Sequence, residues 1–155
     1  MDSSGRADAD GLAYLLVQLG FHLATKFRER LAPLGLEPRQ FGMLTRLAAN
    51  EGQSQQAIGE LMGLNPTRMV FLVDELEKQG LVERKRNPAD RRSHALYLTE
   101  AGRTRLREAQ QAGAAHEREI GASLTGAQRA ELAALLRRLA DEQGIRPDSL
   151  PGPPG

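Results

Sequence analysis

The 155-residue chain contains no cysteine, which removes disulfides, thiolate metal sites and thiol-based redox sensing together. No apolar run approaches the roughly 20 residues that a bilayer-spanning helix needs. The start, MDSSGRADADG, is acidic and small rather than basic and then apolar, so it is not a signal peptide. A cytoplasmic protein without membrane contact is expected. Its three histidines, His22, His94 and His116, are scattered and lack a carboxylate at metal-ligand spacing, so no metal is expected. Ser93 and His94 are not a catalytic pair, because neighbours on a strand point to opposite faces. A glycine-rich phosphate loop and an HExxH motif are also missing, and neither an enzyme nor a cofactor is indicated.

Net charge is another near-absence: +1 overall, which taken alone argues against a nucleic-acid binder. The distribution says otherwise. Between Glu83 and Arg107 stand eight basic residues (Arg84, Lys85, Arg86, Arg91, Arg92, Arg103, Arg105, Arg107) and three acidic ones (Glu83, Asp90, Glu100), a local net of +5. Such a patch gives local phosphate affinity without general stickiness. A merely solvated charged surface would have the same composition.

What is present suits one globular domain. Hydrophobic content of 40% and charged content of 26% are ordinary, and the length allows a real core. Residues 1–10 and the Pro/Gly-rich tail 143–155 read as disordered. Leu12, Leu15, Leu16, Leu19, Leu23 and Phe27 fall at helical spacing, so residues 11–32 form a first helix that Pro33 and Gly35 end. Glu37 and Pro38 start a second helix, with Phe41, Leu44 and Leu47 inward.

Residues 54–99 hold the strongest functional signal. Ser54 caps a third helix, with Ile58, Leu61 and Met62 inward, and Gly63 makes the turn. Asn65 followed by Pro66 opens a fourth helix to about Gln79; it buries Met69, Leu72, Val73 and Leu76 and faces Thr67, Arg68, Val70 and Phe71 outward. Strands are predicted at 81–86 and 94–98 around the turn-rich NPADRRS. A rigid helix followed by a basic hairpin tip matches the two grooves of duplex DNA. The segment is a winged helix-turn-helix.

Thr99 caps a fifth helix containing Leu106, Ala109, Ala112, His116 and Ile120, and Thr125 with Gln128 makes a capping box for a sixth. Leu132, Leu135, Leu136 and Leu139 stripe that last helix. With Leu12, Leu15, Leu16 and Leu19 they form either a dimerisation platform or part of the monomer's own core. Duplex binding favours the dimer, since two recognition helices about 34 Å apart match successive major grooves of a palindromic operator.

The helix ending LVDELEKQGLVERK, the wing DRRSHALYLTEAG and the long flanking helices resemble the multiple antibiotic resistance regulator (MarR) family. The spacing DRR-x-x-x-L-x-LT-x-x-G is quite specific, and the similarity extends over residues 11–142. It implies a mostly α fold with a small β-hairpin wing: a winged helix-turn-helix at 36–99, with dimerisation helices at 11–35 and 100–142. It also implies a homodimeric transcription regulator, often a repressor released by a small aromatic or phenolic ligand. Redox control through cysteine, used in one branch of that family, is excluded here.

By position, the resemblance gives Asp90 and Arg92 a joint role, Arg92 entering the minor groove while Asp90 orients its guanidinium. Arg91 would meet a phosphate or an acid. Where family members often carry a polar residue or arginine this chain has Phe71, and Arg68 stands where Ser or Thr is common. Thr67 and Arg68 are therefore expected to do most of the base reading, with Val70 and Phe71 either touching thymine methyls or packing inward. Ser54, Gln55 and Gln56 could hold a phosphate at the start of the third helix, though Ser54 could equally be a cap alone. Arg84 and Arg86 alternate on the first wing strand and could make one face basic. His22, Met43 and Arg46 are ligand-pocket candidates, each with a plainer structural explanation. A winged-helix protein–protein interaction module without DNA binding is the competing function.

Overall fold

A computed structural model describes residues 11–145. They form α1 (Leu12–Leu31), a 3₁₀ turn (Ala32–Leu34), α2 (Pro38–Ala49), α3 (Gln55–Leu61), α4 (Pro66–Lys78), β1 (Val82–Arg86), β2 (His94–Leu98), α5 (Glu100–Ile120) and α6 (Gly126–Glu142). The expected disorder at 1–10 and 146–155 lies outside the described residues. Gln143–Ile145 are not tail: they close α6, with the Ile145 amide donating to the Ala140 carbonyl at 2.9 Å. No helix among the described residues is long and apolar enough to cross a membrane.

Local chemistry sets the helix starts. The Ser54 hydroxyl accepts the Ala57 amide at 3.1 Å, the Asn65 side chain that of Arg68 at 2.9 Å, and Thr99 that of Gly102 at 2.9 Å. Thr125 and Gln128 cap one another reciprocally, at 3.2 and 2.9 Å. Each such cap satisfies an otherwise orphaned amide and stabilises its helix by about 1 kcal/mol. Gly63 (φ +65°) and Gly80 (φ +71°) take left-handed conformations that end α3 and α4. There the Leu64 amide returns to Gly59 and the Leu81 amide to Leu76, both at 2.9 Å.

The strands pair antiparallel from Val82 opposite Leu98 to Arg86 opposite His94. An isolated antiparallel bridge forms on the other side of β2, where Ser54 pairs with Ala95, flanked by Gly52 amide to Leu96 carbonyl at 2.9 Å and Leu96 amide to Gln53 carbonyl at 3.0 Å. The wing is thereby stitched to the start of α3.

The core sits within the winged helix-turn-helix and the facing part of α5. Met43, Leu44, Leu47, Ile58, Val73, Leu76 and Leu96 are fully buried, each contributing about 1.5–3 kcal/mol against exposure. Leu61, expected inward, is 47% exposed. It is the last residue of the seven-residue α3, and Met62 fills the inward place instead. At the junction with α5, a Cβ on Gly102 would stand 2.0 Å from the Leu81 carbonyl oxygen, so only glycine permits that approach.

Apart from the C-terminal end of α1, neither α1 nor α6 joins this core. α1 buries only Leu31, and α6 buries no residue. Leu12 is 63% and Leu135 52% exposed, and Leu15, Leu16, Leu19, Leu132 and Leu136 are exposed with them, while Leu139 is half-buried. The stripes therefore do not close the monomer's interior. α1 meets α5 through Phe27, which stacks on His116 (centroids 5.3 Å apart) and meets Phe41 of α2 edge-on at 5.8 Å. One turn on, Arg30 pairs with Glu119.

Candidate nucleic-acid interface

Asn65 and Pro66 place the outward side chains of α4. With Asn65 as N-cap, Thr67 and Arg68 fall in the first turn and Val70 and Phe71 in the second. All four are exposed, and the side chain of Arg68 makes no hydrogen bond or ion pair among the described residues. The alternative left open by the sequence is decided: Phe71 is 64% exposed and points away from the core.

Arg84 departs from expectation. Its side chain is 17% exposed and crosses from β1 to α4, with Nη2 2.6 Å from Asp74 Oδ1 and Nη1 2.5 Å from Glu77 Oε2. Its Nε donates to Gln55 Oε1 at 3.0 Å. Both Arg84 and the Gln55 carbonyl are thus engaged within the protein, and neither the arginine nor that oxygen is offered to a phosphate. Ser54 is engaged as a cap, and the Gln56 amide donates to Glu60 at 3.0 Å. Arg86, exposed further along the strand, keeps an unpaired side chain among the described residues.

The wing loop is tied by its own hydrogen bonds. Asn87 N donates to Ser93 O at 3.0 Å, Asp90 N to Asn87 O at 3.2 Å, and Ser93 N to Asp90 O at 3.1 Å. Asn87 Oδ1 accepts from the Ala89 amide at 3.0 Å. Asp90 Oδ1 accepts the backbone amide of Arg92 at 2.9 Å, and no ion pair joins the two side chains among the described residues. The Asp90 carboxylate thus engages the Arg92 backbone rather than its guanidinium. The carboxylate shapes the backbone beneath Arg92, because two residues is the span of an Asx-type turn. Arg91 and Arg92 stand exposed, their guanidinium groups without a partner among the described residues.

The basic cluster of the sequence consequently divides. Lys85 pairs with Glu83 at 2.9 Å and lies over the Tyr97 ring at 4.8 Å. Arg103 makes a two-pronged pair with Glu51, at 2.8 and 3.2 Å, and the same carboxylate accepts the Leu98 amide at 2.9 Å. Arg105 holds the Leu34 carbonyl and Glu108, and Arg107 donates to Thr104. Among the described residues, the cations of this stretch left without a partner are Arg86, Arg91 and Arg92, gathered at the wing. The Glu51–Arg103 brace was not anticipated, since it links residues 52 positions apart and leaves no local signature.

The ligand-pocket candidates do not converge. Met43 is fully buried within the core, where it fills space. Arg46 is half-buried on α2, its carbonyl accepting from Asn50 at 2.8 Å. His22 is exposed beside Val17, Gln18, Phe21 and Thr25, which line a shallow open depression on α1 without Met43 or Arg46. A residue the sequence did not single out for this role is His116. Its Nδ1 is buried without a hydrogen-bond partner beside Phe27. The signal for it is its helical spacing from Ala109 and Ala112 on the inner face of α5.

Known proteins share this arrangement. A sequence profile described as the MarR family matches residues 34–93. A relative from Thauera aromatica, named a putative transcriptional regulatory protein for the hcr operon, is 33% identical over 138 residues, covering 84% of this chain and 83% of that one. The solved structure of the transcriptional repressor CouR bound to a 23-mer DNA duplex is similar at a TM-score of 0.78 and 33% identity, covering 90% of this chain and 98% of that one. CouR from Rhodococcus jostii RHA1 bound to p-coumaroyl-CoA is similar at a TM-score of 0.70 and 30% identity, covering 85% and 93%.

Proposed function

This chain belongs to the MarR family, and on that footing we propose that it is a cytoplasmic, non-enzymatic, homodimeric repressor that binds a palindromic operator and is released by a small aromatic ligand. One observation carries the reading: the exposed first turns of α4 and the ordered wing tip present Arg68, Arg91 and Arg92 with guanidinium groups that have no intramolecular partner among the described residues. Free arginines on two rigid elements match what the major and minor grooves ask for.

The roles follow. Thr67 and Arg68 read base edges, with Arg68 bidentate to a guanine. Arg92 enters the minor groove, Arg91 and Arg86 meet phosphates, and the backbone amides at the start of α3 hold another phosphate. The exposed leucines of α1 and α6 associate with those of a second copy; burying them stabilises a dimer at about 25 cal/mol per Å². The likeness to CouR supports both DNA and an aromatic acyl thioester as binding partners. A ligand seated between platform and reading head would release DNA by changing the separation of the two α4 helices.

The test is a duplex recovered by selection from a random library, followed by a salt-titrated mobility shift and sedimentation. Expected are a dimer, affinity that falls steeply with salt, and weakening on adding p-coumaroyl-CoA or a related aryl thioester. Arg68→Ala should cost about 1–3 kcal/mol and relax specificity at one position per half-site. A monomer with no preferred duplex would point instead to a protein-interaction module.

A further inference from the structure

Resting on the DNA-binding reading above, we infer that Phe71 reads the 5-methyl group of a thymine, about one base-pair step from the base met by Arg68. Phe71 is 64% exposed and its neighbour Val70 44%, on the outward face of α4 that also carries the unpartnered Arg68. Phe71 follows Arg68 by three residues, so it lies on nearly the same helix face about 4.5 Å further along the axis. That advance is close to the roughly 3.4 Å rise between stacked bases.

Only the first two turns of α4 suit a groove walled by phosphates. Beyond Phe71 the helix carries Asp74, Glu75 and Glu77, and the carboxylates of Asp74 and Glu77 are drawn toward β1 by Arg84. Phe71 is thus the last outward side chain before the acidic half. A benzyl group offers no hydrogen bond to a base edge. The apolar group that a base edge presents in the major groove is the thymine methyl. Removing the phenyl ring from water against that methyl gives this helix a thymine preference that a polar residue at the same place would lack.

The experiment uses the full chain and a duplex selected by it from a random library, resynthesised with single thymines replaced by deoxyuridine, which removes the methyl alone. One thymine per half-site should be sensitive. Burying a methyl group is worth about 0.8 kcal/mol, or roughly a fourfold loss of affinity per half-site. Phe71→Ala should bind the thymine and deoxyuridine duplexes equally, whereas Phe71→Leu should keep part of the discrimination. Two results would overturn the inference: wild-type affinity indifferent to every single replacement, or Phe71→Ala retaining the full penalty. The wild-type arm needs no variant to fold. Failure to recover any preferred duplex would remove the regulator reading and this inference with it, whereas selection of a duplex insensitive to deoxyuridine would remove only the inference.

Discussion

Arg84 of β1 and Asp74 of α4 lie 2.6 Å apart, Nη2 to Oδ1, joining the two elements proposed to approach DNA. Glu77 completes the grip at 2.5 Å. A like-charged duplex would repel both carboxylates were the arginine not there, so Arg84 acts as a counter-charge and as a strut. A direct phosphate contact would require it to leave both acids.

Arg84→Ala should therefore weaken operator binding about tenfold or more, and lower stability by about 1–2 kcal/mol, less than for a fully buried pair because both acids are partly solvated. Adding Asp74→Asn and Glu77→Gln to Arg84→Ala should recover most of the affinity. A triple variant as weak as the single one, measured by anisotropy on the same duplex, would make Arg84 a phosphate ligand after all.

Asp90 gives a second discriminating pair. Its Oδ1 accepts the Arg92 amide, a bond an asparagine oxygen can also accept. Asp90→Asn should keep affinity within about threefold, while Asp90→Ala should loosen the loop and lose about 1 kcal/mol of binding. Equal losses from both would mean that the negative charge itself orients the Arg92 guanidinium in the complex.

These cases mark where the sequence was legible and where it was not. The caps at Ser54, Asn65, Thr99 and Thr125 are local and stand as read, because a capping side chain needs only the next three residues. The buried face of α4 was likewise carried by its period. Leu61 was misjudged because α3 ends before another turn can define its face. Met43 shares a helix period with ligand-facing and core-facing positions alike, and only packing separates them. The basic cluster misled most: charge counting cannot see that Arg84 meets Asp74 and Glu77, or that Arg103 meets Glu51, since those pairings depend on how β1, β2 and α5 lie against earlier segments.

Gly102 tests the junction between wing and platform. With a Cβ placed 2.0 Å from the Leu81 carbonyl oxygen, Gly102→Ala must push α5 away from the backbone at Leu81, just before β1. Overpacking of this kind costs about 1–3 kcal/mol, a fall in melting temperature of about 2–4 °C for each kcal/mol in a domain of this size. Gly63→Ala is a useful contrast, since nothing lies within 4 Å of its added methyl and only its φ of +65° is strained. An unchanged melting temperature for Gly102→Ala would show that the α5 start yields freely.

The platform has its own pH signature. A hydrogen bond from Arg30, together with its charge, holds the Glu119 carboxyl below its ordinary value of 4.5, with Lys26 and His116 adding smaller attractions and slight burial opposing them. A carboxylate depressed on folding contributes stability that is fully present above the unfolded value. That contribution is lost as pH falls through the lower, folded value. Glu119→Gln should therefore melt earlier than wild type at neutral pH, and the gap should close only below pH 4.5. Because Glu119 is more than half exposed, the gap should also shrink in high salt. A gap that persists undiminished into strong acid would assign the loss to packing against α1, and the Arg30 pairing would no longer explain it.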